Sequence, residues 1–197
     1  LPYRPGEVWF DATGVMHRDG RKEFPIGWFS DFFHYPHKGV NVTQSYWNSM
    51  TSEEDCGKMN GYINRAVSNG CWYIVSPFQS LPGMKRDDFF SWAHLKGEFG
   101  VGKVGELQKK AVRRMVETVK DNPGFLAYYL ADEPEGWGTN PKFLKAAHDY
   151  LQELDPYHPT IVVDYGEQGV VTYHEAGDVM APDAYPVYFT DGTTRDR

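Results

Sequence analysis

Phe125-Leu126-Ala127-Tyr128-Tyr129-Leu130-Ala131-Asp132-Glu133-Pro134-Glu135 is the stretch on which the reading of this chain turns. Seven mostly apolar residues run without a polar break, then two adjacent carboxylates and a proline end the run. A continuous apolar segment of this length suits a strand covered on both faces, as in a parallel sheet wrapped by helices. In such sheets the loops at the carboxyl ends of the strands carry the chemistry. Taken alone, Asp132 and Glu133 serve equally well as a cap on the next helix or as solvated loop acids. The flanking sequence decides between these readings.

Toward the carboxyl terminus, Phe143 to Leu154 has helical spacing, with Pro141 at its start, where proline is tolerated. Asp155-Pro156-Tyr157-His158-Pro159 breaks that helix, and Thr160 to Asp164 reads as the next strand. A short helix or loop around Val170 to Ala176 leads to a further strand, Asp178 to Asp183. Toward the amino terminus, Leu107, Ala111, Met115 and Val119 form one stripe of a helix over 107–119, which Asp121-Asn122-Pro123-Gly124 ends. Residues 80–103 are a long irregular excursion, and loops of that length in compact domains are often functional. Before it come a strand from Cys71 to Phe78 and a helix from Ser52 to Gly70, with acids in its first turn. Strands over Gly39–Trp47 and Phe24–Phe29 precede these.

Strands therefore alternate with helices, apart from the first crossover, and this order implies a parallel sheet. The expected fold is α/β: a TIM (β/α)8-type barrel, incomplete at about six βα units. A full barrel typically needs roughly 250 residues, and this chain has 197. Residues 1–24 are expected to form a β-hairpin packing on the barrel, because Asp19-Gly20 lies between strand-like runs. Residues 25–197 then form the partial barrel that carries the chemistry.

With 41% hydrophobic and 16% aromatic residues the chain can bury a substantial core. A net charge of -7 argues against nucleic acid or an anionic membrane as partner. No 18-residue apolar run is present, so no membrane-spanning helix is expected. Cys56 and Cys71 fall near opposite ends of one helix, roughly 20 Å apart at about 1.5 Å per residue, whereas a disulfide needs Cα atoms within about 7 Å. Two free, mostly buried thiols are expected. No Cys/His set has zinc spacing, and His34 and His37 lack a following acidic partner, so no metal or cofactor is expected. The chain begins at Leu1, which points to a trimmed chain or an internal fragment, so the lack of a leader says nothing against export. An extracellular or periplasmic location is the expectation.

The strand ends collect polar and aromatic groups. Trp28 lies in the first, Tyr46 and Trp47 end the second, and Asp132 and Glu133 end the fourth, with Trp137 just beyond. Asp164 ends the fifth, and Asp183 and Tyr185 the sixth. The strand starts are plainer, and that asymmetry is expected of an active-site face. Acids flanked by Trp and Tyr suit a carbohydrate: rings stack on sugar C–H faces and carboxylates bond hydroxyls. Cleavage of a glycosidic bond needs an acid for the leaving oxygen and a second group that stabilises the oxocarbenium-like state. Glu133 suits the acid, since apolar neighbours raise a carboxyl toward the working range. Any single aromatic here also serves as ordinary packing.

Tyr128-Tyr129-Leu130-Ala131-Asp132-Glu133-Pro134 resembles the fourth-strand signature of the clan A (β/α)8-barrel glycoside hydrolases, where an Asn-Glu-Pro commonly ends the strand and its Glu is the acid/base. Asp132 takes the Asn position. Residues 18–27 resemble the entry segment of those barrels, and Gly177 to Pro186 resembles their sixth strand. The resemblance implies that Glu133 is the general acid/base; Asp132 is expected to position it or the substrate, Asp183 and Tyr185 to bind substrate or orient the catalytic groups, and Asp164 to join them as a substrate-binding residue. Two departures stand out. The clan's nucleophile is a Glu ending a seventh strand, which these residues do not reach. Asp-Glu in place of Asn-Glu also resembles the substrate-assisted hexosaminidases, where the Asp positions the substrate's acetamido group. Adjacent strand residues face opposite ways, so joint service of Asp132 and Glu133 requires a bulge or the turn at Pro134. The rival from another class is a carbohydrate-binding or structural barrel without turnover. An incomplete barrel exposes strand edges, so self-association, or a further carboxyl-terminal part completing the barrel, is expected.

Overall fold

A computed structural model describes residues 1–29, 39–44, 53–76, 99–183, 187–190 and 193–196. Strands β1 (Val8–Phe10), β2 (Met16–Arg18) and β3 (Arg21–Glu23) form an antiparallel sheet in that order. Asp19 (φ 49°) and Gly20 (φ 72°) both take left-handed backbone between β2 and β3, as the tightest hairpin turn requires. The hairpin expected around Asp19-Gly20 is therefore present, and β1 adds a third strand to it.

Six further strands form one parallel sheet in sequence order: β4 (Gly27–Phe29), β5 (Val42–Gln44), β6 (Trp72–Val75), β7 (Phe125–Asp132), β8 (Thr160–Asp164) and β9 (Val179–Pro182). Helices α1 (Glu53–Ser68), α2 (Gly102–Val119), α3 (Pro141–Leu154) and α4 (Glu167–Tyr173) fill the crossovers from β5 to β9. The core shows which way the sheet rolls. Ile63 of α1, Met115 of α2, Leu144 of α3 and Tyr173 of α4 share one cluster with Tyr73, Phe125, Tyr128 and Val162. All four helices thus cover one face. The other face carries a smaller cluster, Val42, Leu126 and Ala127 with Val8 and Met16 of the amino-terminal sheet. With the described helices all on one side and the strands in sequential order, the fold is an incomplete (β/α)8-type barrel rather than a doubly wound sheet.

The amino-terminal sheet is fastened to the starting ends of the strands. Arg18 is buried; its guanidinium donates to the carbonyls of Phe125, at 3.0 Å, and Pro123, and lies 4.9 Å from the centre of the Trp72 ring. The Val8 amide donates to Tyr157 O at 2.8 Å. At the same end Asp155 accepts from the Tyr128 hydroxyl at 2.7 Å and pairs with His158 Nδ1 at 2.8 Å. Between this sheet and the inner face lies an apolar cavity of about 300 Å³, lined by Met16, Val42, Ile74, Leu126 and Ile161 among others.

Several boundaries differ from expectation. Helix α2 starts at Gly102, five residues before Leu107. Its early glycines do not break it: a Cβ on Gly105 would overlap the backbone of Gly100, so the bare residue lets the incoming chain cross the first turn closely. Helix α3 starts at Pro141, capped by Asn140, whose side chain accepts from the Lys142 amide at 3.0 Å. Helix α4 occupies Glu167–Tyr173, slightly before the segment expected to be a short helix or loop. Strands β10 (Val187–Thr190) and β11 (Thr193–Asp196) form an antiparallel pair that was not anticipated, although Asp191-Gly192 lies between them in the sequence. Among the described cysteines Cys71 is free, as expected. The excursion expected over 80–103 lies outside the described residues up to residue 98.

Candidate active site at the end of β7

Strand β7 is long, at eight residues, and its first seven are buried. It is not a regular strand. Against β6 its partners run Tyr73↔Phe125 and Ile74↔Ala127, so Leu126 is an inserted residue. Leu126 and Ala127 accordingly both belong to the inner cluster. Against β8 the partners run Tyr129↔Ile161 and Ala131↔Val162, so Leu130 is a second insertion. Leu130 and Ala131 both belong to the helix-facing cluster. The second bulge resets the alternation. Residues 129 and 132, three apart, would face opposite ways on an ideal strand; here the Tyr129 hydroxyl donates to Asp132 Oδ1. The bulge thus brings Asp132 onto the face of Tyr129.

Glu133 then leaves the strand through a left-handed backbone, φ 46°, which a side-chain-bearing residue seldom adopts. Its amide still donates to Val163 O of β8 at 2.8 Å. Beyond it the chain coils tightly: Gly136 N donates to Glu133 O at 3.0 Å, and Thr139 N to Pro134 O at 3.0 Å. Asp132 and Glu133 both keep partial exposure at this end of the sheet.

Glu135 follows in the same loop and turns back toward β8. Its Oε1 accepts from the amides of Tyr165, at 2.7 Å, and Gly166, at 3.2 Å. Beside it Asp164 is completely buried, at 0% exposure. Among the described residues neither Asp164 oxygen, nor Glu135 Oε2, has a hydrogen-bond donor. Two carboxylates can only accept, so nothing bonds them to each other until one takes a proton. Burial first, then the Glu135 charge and its readiness to accept a hydrogen bond, push the Asp164 carboxyl up to about 7. Below about pH 7 Asp164 therefore keeps its proton, and that proton can be donated to Glu135. Tyr173 borders the same pair: its hydroxyl donates to Thr139 O at 2.6 Å, and burial, then the Glu135 and Asp164 charges, raise its pKa.

Of the residues singled out by sequence, Asp132, Glu133, Asp164 and Asp183 stand at the ends of three adjacent strands. The Asp183 amide donates to Asp164 O at 2.7 Å, and Asp183 is half-buried. Asp164 stands at the expected strand end, yet no part of it reaches the surface. Trp137 is 56% exposed in the loop after β7. Trp28 belongs to β4 by its backbone, and its side chain lies outside the described residues, as do Tyr46, Trp47 and Tyr185 entirely. Glu135, Tyr129 and Tyr173 were not singled out. Glu135 sits in the decisive segment itself, but nothing local marks its tie to amides 30 and 31 residues away.

No family model matches the chain. It is 25% identical over 167 residues to the "Probable mannan endo-1,4-beta-mannosidase C" of Aspergillus terreus (strain NIH 2624 / FGSC A1156), a match covering 68% of this chain and 38% of that protein. The chain thus spans well under half the length of that curated relative. Among solved structures it superposes on an endo-1,4-beta-mannanase from Eisenia fetida with a TM-score of 0.58, at 10% identity, over 95% of this chain and 74% of that one. A glycoside hydrolase family 5 mannosidase from Rhizomucor miehei gives a TM-score of 0.56 at 9% identity, over 88% and 59% of the two chains. A beta-glucuronidase from Parabacteroides merdae gives 0.55 at 15% identity, over 90% and 22%. At such identities the structural likenesses establish the fold, an incomplete (β/α)8-type barrel shared with glycoside hydrolases.

Proposed function

We propose that this chain is the catalytic core of a glycoside hydrolase that cleaves a β-1,4-linked mannan, with Glu133 as general acid/base. The observation that carries this is the end of β7. A bulge sets Asp132 against Tyr129, and a left-handed residue turns Glu133 out of the strand at the carboxyl end of the barrel. Barrel enzymes keep their reactive groups at that end. The likeness to mannan-cleaving proteins supports the substrate class.

In this reading the Glu133 carboxyl donates its proton to the glycosidic oxygen as the C–O bond breaks, and Asp132 orients it or a substrate hydroxyl. Asp183 and Tyr185 bind sugar hydroxyls, and the buried Asp164 steadies Asp183, whose amide donates to its backbone carbonyl. Trp28, Tyr46, Trp47 and Trp137 are the proposed stacking platforms. A two-carboxylate mechanism needs a partner about 5–5.5 Å from the acid for retention, or about 6.5–9.5 Å for inversion. We place that partner on a strand following β9. The substrate is a carbohydrate, and the reading calls for no cofactor. A polymeric substrate outside the cell makes the location extracellular or periplasmic; among the described residues no helix is long and apolar enough to cross a membrane.

Glu133→Gln tests the proposal on β-1,4-mannan and short manno-oligosaccharides. Loss of the acid should lower kcat by about 10²- to 10⁴-fold, while mannan binding, measured by affinity electrophoresis, persists. Wild-type protein that binds mannan without releasing reducing ends would instead make it a carbohydrate-binding barrel.

A further inference from the structure

We infer that Glu135 is a positioning residue: by gripping the start of the β8–α4 loop it holds Glu133 in its left-handed backbone and so sets the aim of the acid. This rests on the reading of Glu133 as acid/base. A residue other than glycine held at φ 46° is strained and persists only where its surroundings over-determine it. Toward the amino terminus the determination is plain: Asp132 is in register with Val163, and the Glu133 amide donates to Val163 O at 2.8 Å. Toward the carboxyl terminus, the bonds Gly136 N to Glu133 O, Gly138 N to Glu135 O and Thr139 N to Pro134 O all lie within one turn. They stiffen the turn within itself but do not by themselves tie it to β8 or α4.

Among the described residues, two side chains make that tie. The Tyr173 hydroxyl holds Thr139 O, and the Glu135 carboxylate holds the Tyr165 and Gly166 amides, two residues from Glu133. Helix α4 makes room for the second tie. A Cβ on Gly169 would overlap the Glu135 carboxyl and come to 3.0 Å from Asp164 Cβ. Among the described residues, Asp164 and Tyr173 are titratable groups that feel the Glu135 charge, and Tyr165 in turn acts on Tyr173. With its proton, Asp164 can donate to the Glu135 oxygen that the amides leave open. Glu133 is thereby pinned on both sides to one strand and its extension.

Steady-state kinetics on β-1,4-mannan, with the chain as its source makes it, test this through Glu135→Ala, Glu135→Gln and Gly169→Ala beside Glu133→Gln. Glu135→Ala should lower kcat by about 10- to 100-fold, the scale of a small misplacement of a catalytic group, and leave KM nearly unchanged. Glu135→Gln should recover most of the loss, because its amide oxygen accepts from the same two N–H groups. Gly169→Ala should lower kcat as Glu135→Ala does, although alanine is the better helix former. Should Glu135→Ala fail to fold, the contrast between Glu135→Gln and Gly169→Ala decides: equal wild-type kcat in both overturns the inference. A lower melting temperature with kcat per folded molecule intact in Glu135→Ala overturns it as well. Full hydrolysis by Glu133→Gln overturns the acid/base reading and this inference together. An inactive Glu133→Gln beside a fully active Glu135→Ala overturns this inference alone.

Discussion

Asp164 spends its ionisation on nothing that stabilises it. It is buried, faces another carboxyl, and has no donor among the described residues. Its folded pKa, about 7, lies above the ordinary carboxyl value of about 3.9 that the unfolded chain keeps. Between those values the folded chain holds a proton that the unfolded chain has released. Folding stability contributed by this group is therefore whole below about pH 4, falls as pH rises to about 7, and is level beyond. Asp164→Asn removes the titration while keeping an N–H to offer Glu135. Urea unfolding of the two proteins across that window should show a falling stability for wild type relative to the variant; parallel curves would refute the assignment. Asp155 carries the opposite sign. Burial alone would raise it, but the His158 and Tyr128 hydrogen bonds outweigh that and hold it low. Its contribution is lost only as pH falls through that lowered value, so the two acids separate on the pH axis. Asp164 and Asp183 were legible in the sequence because each closes an apolar run. The Asp164–Glu135 pair was not, since it depends on how two loops meet.

Strand β7 shows what periodicity conveys and what it hides. Its unbroken apolar run announced a strand covered on both faces. The same lack of alternation made its two bulges invisible, because a run apolar on every side looks alike in any register. The bulge at Leu130 is what reconciles Asp132 with Tyr129, so the need for such a device was readable while its position was not. Helices were legible wherever a stripe was clean, as in α2 from Leu107 onward; the first turn, rich in glycine, was not. The amino-terminal sheet was legible from Asp19-Gly20, but not its fastening through Arg18. That fastening can be tested. Arg18→Ala removes hydrogen bonds to two carbonyls and a ring contact from a buried cation. It should cost about 2–4 kcal/mol of stability in a denaturant titration. Because Arg18 sits at the starting ends of the strands, kcat of the folded fraction should not move. A lowered kcat at unchanged stability would contradict the division of the barrel into a stabilising end and a reactive end.

Among the described residues the six-stranded sheet does not close on itself. Strands β4 and β9 are each paired on one side within it, and the described inner face between them keeps an apolar cavity of about 300 Å³. Unpaired strand edges beside apolar surface invite another chain. Phe24 and Ile26, just before β4, are 77% and 49% exposed, so the β4 edge is also greasy. Against this stands a net charge of -7, which repels a second copy over a range set by the salt. The balance makes a prediction with a sign. These 197 residues, expressed by themselves, should associate in a concentration-dependent way by sedimentation velocity, and added salt should strengthen the association because it screens the repulsion. An ordinary ion-pair interface would weaken with salt. Ile26→Lys, which places a charge beside the β4 edge, should shift the distribution toward monomer. A monodisperse monomer at all salt concentrations, melting in one cooperative step, would mean that the edges are already covered. The partner of Glu133 would then be sought within these residues as well as on a strand after β9.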